Sequence, residues 1–111
     1  MGWRDLATGS NPGKVGSEGG VIVADESYDG AARITLERAA RLAPFAITCG
    51  VSGSLVHTRF FESEAQARLQ FDAMKVALAR IAEVVKSADD AQSDDIPLVG
   101  RLCQEFVDEF P

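Results

Sequence analysis

The sequence is poor in the residues that most often carry chemistry. It holds one histidine and two cysteines among 111 residues. Two cysteines, Cys49 and Cys103, are too few for a disulfide framework or a cysteine-only zinc site. A lone His57, with no carboxylate at ligand spacing on a shared helix face, argues against a metal centre. No cofactor is expected. No apolar run approaches the roughly 20 residues of a membrane span. The first residues carry no basic-then-apolar signal segment, so the expectation is a cytoplasmic protein that does not enter the membrane. Gly-x-Ser-x-Gly, His-Glu-x-x-His, EF-hand and nucleotide-binding glycine patterns are all missing. Residues 9–14 approach a phosphate-binding loop, but they are one residue short, lack the Ser/Thr after Lys14 and follow no strand.

An excess of basic charge is also missing. Lys and Arg number 11 against 17 Asp and Glu, for a formal charge of −6. That charge is unevenly placed. Residues 1–86 are neutral, whereas residues 87–111 hold Arg101 alone against Asp89, Asp90, Asp94, Asp95, Glu105, Asp108 and Glu109. Nucleic-acid binding needs clustered Lys/Arg to neutralise phosphates, so it is not expected. Anionic membrane surfaces are disfavoured for the same reason.

What is present is the composition of one soluble domain. Hydrophobic residues make up 46% and charged ones 25%, an ordinary globular balance. A chain of this length buries roughly 65% of its unfolded surface and can hold a core without staples. Residues 1–20 hold six of the ten glycines and no apolar periodicity, and residues 1–19 read as a flexible tail. Residues 20–61 read as four strands: 21–26, 32–38, 45–49 and 55–61. Asp29-Gly30 is a strong hairpin-turn signal, and Ser52-Gly53 marks another turn. Short loops between consecutive strands predict an antiparallel meander.

The period then changes. Ala67, Phe71, Met74, Leu78, Ile81 and Val85 recur at helical spacing, which predicts a helix over 63–87 with Ser63 as N-cap. Residues 88–95 read as an acidic linker. A shorter helix over 96–110 follows, with Asp95 as N-cap and Pro97 in its first turn. The expected fold is α+β, ββββαα, with both helices on one sheet face.

Two-residue turns set a provisional register. Phe45, Ile47 and Cys49 then share the covered face with Val56, Thr58 and Phe60. The other face collects Glu26, Arg33, Thr35, Thr48, Leu55, His57, Arg59 and Phe61. Asp25 and Glu26 resist any regular pairing, because one of them must point inward, so the first strand should bulge or end near Ala24. A Cys49–His57 nucleophile pair is disfavoured, since the two fall on opposite faces.

Two function classes follow. The first is a non-enzymatic interaction or regulatory module that works as a homo-oligomer, a dimer above all, through the exposed sheet face. Helix 96–110 could also dock a protein partner. The second is a small anionic-ligand binder or enzyme built on Arg33, His57 and Arg59, with His57 as the only candidate general base. The balance leans away from an enzyme.

Overall fold

In the computed structural model, residues 2–6, 15–91 and 96–111 are described, the side chains of 88–91, 96 and 97 excepted. The described residues form five strands and two helices: β1 (Trp3–Asp5), β2 (Val21–Tyr28), β3 (Ala32–Arg38), β4 (Phe45–Val51), β5 (Leu55–Phe61), α1 (Glu64–Ala91) and α2 (Ile96–Glu109). The strands lie in the order β1-β2-β3-β4-β5, every neighbouring pair antiparallel. This is the expected α+β meander with one strand more.

The extra strand corrects the reading of the first residues as a tail. Trp3–Asp5 pairs with the last part of β2, Trp3 opposite Tyr28. The anchor is Trp3, whose ring stands edge-on to Tyr28 at 5.4 Å and takes the Lys75 ammonium at 5.6 Å. A three-residue strand has no periodicity to read, and a single tryptophan holds it.

The β2–β3 and β4–β5 hairpins are each one residue longer than expected. Asp29 and Gly30 both take positive φ (52° and 78°), as a tight hairpin turn requires. Ala31 then joins the loop, and Tyr28 comes to lie opposite Ala32. Between β4 and β5 the loop is Ser52, Gly53 and Ser54, with Val51 opposite Leu55. A one-residue shift sends every side chain of a strand to the other face. The β3–β4 register differs from the provisional one by two, so the faces there are unchanged, with Ile34 opposite Cys49 and Leu36 opposite Ile47. The predicted irregularity in the first strand is present: the β2–β3 register shifts between Ile22 and Ala24.

Ile34, Leu36, Ile47, Cys49 and Val51 from the sheet meet Ala67, Phe71, Met74, Leu78, Ile81 and Ala82 of α1. From α2 come Val99, Cys103 and Phe106, joined by Phe110 just after its end. Ser63 caps α1 as expected, with the Gln66 N–H donating to Ser63 Oγ at 3.2 Å. The helix runs on to Ala91, through half of the segment read as a linker. Residues 92–95, with the predicted Asp95 cap, lie outside the described residues. Among the described residues, no helix is long and apolar enough to cross a membrane.

Candidate functional site

The register divides the residues that the sequence placed on one face. Leu55, His57, Arg59 and Phe61 alternate toward the helices, because Cys49 pairs with His57 and Ile47 with Arg59. Phe61 is buried and Leu55 packs against the core. Glu26 also points to the helix side, opposite Ile34, where Lys75 meets it at 2.6 Å. The inward carboxylate that the sequence required is thus Glu26, answered by a cation from α1. Arg33, Thr35 and Thr48 alone keep their expected place on the open face.

On the covered face, His57 and Arg59 hold the end of α2. The His57 ring donates through Nε2 to the Phe110 main-chain oxygen at 2.6 Å. Arg59 Nε donates to the Pro111 oxygen at 3.0 Å, and one terminal nitrogen donates to Gln70 Oε1 at 2.7 Å. Its guanidinium stands 4.9 Å from the Phe61 ring and 5.5 Å from that of Phe110. Cations at a helix C-terminus satisfy its orphan carbonyls and complement its partial negative charge. Burial pushes the Arg59 guanidinium below its ordinary value. These two side chains position α2, and neither faces solvent on the open sheet.

The register also brings Cys49 and His57 together as cross-strand neighbours on one face, which overturns their expected separation. The geometry still gives no activated thiol. Burial pushes the Cys49 thiol up to about 12, with Arg59 opposing weakly. A catalytic cysteine needs the reverse shift. Burial raises the Cys103 thiol as well. Among the described residues, no group of three or more His, Cys, Asp or Glu could hold a metal ion.

The open face has two halves. Toward β2 and β3 it is closed by its own chain. Asp25 is fully buried and accepts both Arg33 Nε (2.8 Å) and Arg33 Nη2 (2.6 Å), a bidentate pair, with the Thr35 hydroxyl at 3.2 Å. The Asp25 carboxylate raises the Arg33 value. Glu37 is also fully buried. Residues 15–20 lie across it, and the N–H groups of Glu18 and Gly20 donate to its carboxylate at 3.2 and 2.9 Å. Gly16 packs so closely that an added Cβ would overlap the Glu37 carboxyl. The sequence reading missed this strap. Its one trace was the glycine-rich run Gly16, Gly19 and Gly20, which allows close backbone approach.

The strap reaches as far as β4, where Ser17 Oγ lies 3.4 Å from Thr48 Oγ1, and the exposed part of the face is at β5. Thr48 and Thr58 lie side by side, hydroxyls 3.4 Å apart. Val56 and Phe60 flank Thr58 along the strand, 83% and 42% exposed. Beside them lie the small residues Gly50, opposite Val56, and Ala46, opposite Phe60. Where the sequence placed an Arg–His row, the structure has an apolar and hydroxyl stripe.

No protein-family model matches this chain, and no curated protein or solved structure matches it.

Proposed function

We propose that this chain is a non-enzymatic interaction module that works as a homodimer through the open sheet face at β5. The observation that carries the reading is the exposure of Val56 and Phe60 together on one side of a seven-residue edge strand. Single exposed apolar residues are ordinary, but two on the same face of one strand, next to the small Gly50, make a patch. Covering Val56 and the exposed part of Phe60 contributes at most about 1.5–3 kcal/mol each, which begins to offset the cost of association.

The two sheet edges support the same reading by contrast. β1 has three residues, with the charged Arg4 and Asp5 exposed, which blunts it against further pairing. β5 has seven residues, no proline and no lysine, and among the described residues only β4 as a neighbour. The alternative of an anionic-ligand site loses its support, since Arg33 is separated by the sheet from His57 and Arg59 and all three are engaged within the chain.

The test is sedimentation velocity over a concentration series. Val56→Asp and Phe60→Asp should each weaken the dimer at least tenfold while leaving the far-ultraviolet circular dichroism unchanged. Equal association by wild type and both variants would remove the reading.

A further inference from the structure

We infer that β5 pairs antiparallel with β5 of a second copy, about a two-fold axis at Thr58, to make one continuous ten-stranded sheet. The inference rests on the proposed self-association and specifies its geometry.

The residues of β5 select the axis. A closed dimer uses the same surface twice, so residue pairs must be symmetric about the axis. An axis at Thr58 sets Val56 opposite the partner's Phe60, and Phe60 opposite the partner's Val56. The two exposed apolar side chains of each copy then cover each other on the open face, as cross-strand pairs do. An axis at His57 sets Val56 opposite Thr58 and leaves Phe60 opposite Ser54. An axis at Arg59 sets Phe60 opposite Thr58 and Val56 opposite the charged Glu62. Only the axis at Thr58 sets both exposed apolar residues opposite apolar ones, since an axis at Val56 leaves Phe60 opposite Ser52 and an axis at Phe60 leaves Val56 opposite Glu64.

Charge complementarity on the other face favours the same axis. At this register Arg59 lies opposite the partner's His57, under the sheet. Each copy brings the C-terminal end of α2 there, held by its own His57 and Arg59. A helix C-terminus carries partial negative charge. Two such ends and two arginines therefore gather about the axis, so the cations of one copy also face the helix end of the other.

The first test is disulfide capture. Paired strands place directly opposed Cα atoms about 4.5–5.5 Å apart, within disulfide reach. Thr58→Cys should form an interchain disulfide on mild oxidation. Thr48→Cys, one strand further from the axis in each copy, should form none, since three strand spacings of about 4.8 Å separate the two sites. Wild type is the control for Cys49 and Cys103, both buried.

Small-angle scattering of the unmodified dimer reads the same geometry without a substitution. The chain measures 41 × 31 × 20 Å. Edge pairing lengthens the particle well beyond 41 Å, whereas stacking two faces only doubles the 20 Å thickness. Capture at Thr58 with a lengthened particle supports the inference. A dimer with a compact particle and no Thr58 capture overturns the edge pairing and leaves self-association standing. A monomer at high micromolar concentration overturns both.

Discussion

Glu37 shows how much one side chain organises on the open face. It is a fully buried carboxylate whose hydrogen bonds come from the main chain of residues 18 and 20. Removing it leaves buried N–H groups without an acceptor, at a cost of about 1–3 kcal/mol. Glu37→Ala should therefore lower stability by about 2 kcal/mol and make residues 15–20 sensitive to limited proteolysis. Denaturant titration with a timed protease digest checks both. A second prediction belongs to Cys49. Its folded thiol is held near 12 by burial, whereas an unfolded one titrates near 8.5–9. The folded state thus keeps its proton where the unfolded state loses it. Any stability this lends is complete below the unfolded value, and it falls as pH rises from about 9 to about 12. At pH 8 a thiol reagent should leave Cys49 unlabelled in the native protein and label it fully in denaturant.

At the scale of elements, α2 belongs to the core. Val99, Cys103, Phe106 and Phe110 are all buried. Burial of each large apolar side chain contributes about 1.5–3 kcal/mol, and a small domain has only about 5–15 kcal/mol in total. Truncation after Ala88 should abolish cooperative unfolding, as followed by circular dichroism on heating. A truncated chain that still melts cooperatively would make α2 an accessory.

The elements themselves were legible in the sequence. The helical spacing of Ala67, Phe71, Met74, Leu78 and Ile81, the Ser63 cap and the Asp29-Gly30 turn each have a local cause. Loop length was not legible. Both Ala31 and Ser54 could be read as the last residue of a loop or the first of a strand. For β5 that single residue decides the outcome, because Leu55–Phe61 is apolar at both parities: Val56 and Phe60 on one, Leu55 and Phe61 on the other. Alternation alone could not choose between them. The packing against α1 and α2 chooses, because Arg59 finds Gln70 and the Pro111 oxygen only on the covered side. The strap was illegible for another reason. Its contacts with Glu37 are made by main-chain N–H groups, which any sequence possesses.

At the scale of the whole molecule, the electrostatic division seen in the sequence takes on a shape. The −6 resides in residues 87–111, in the last part of α1, the segment after it, and α2. The sheet carries internally matched charges: Arg33 with Asp25, Lys75 with Glu26, and Lys86 with Asp29. The open face at β5 is left almost without charge, and a surface of that kind suits association with a copy of itself. The most direct measurement is amide hydrogen exchange along β5 as a function of protein concentration. The amides of residues 56–60 should become protected as concentration rises, while those of β1 exchange at a constant rate. Exchange in β5 that stays independent of concentration into the high micromolar range would contradict association through β5.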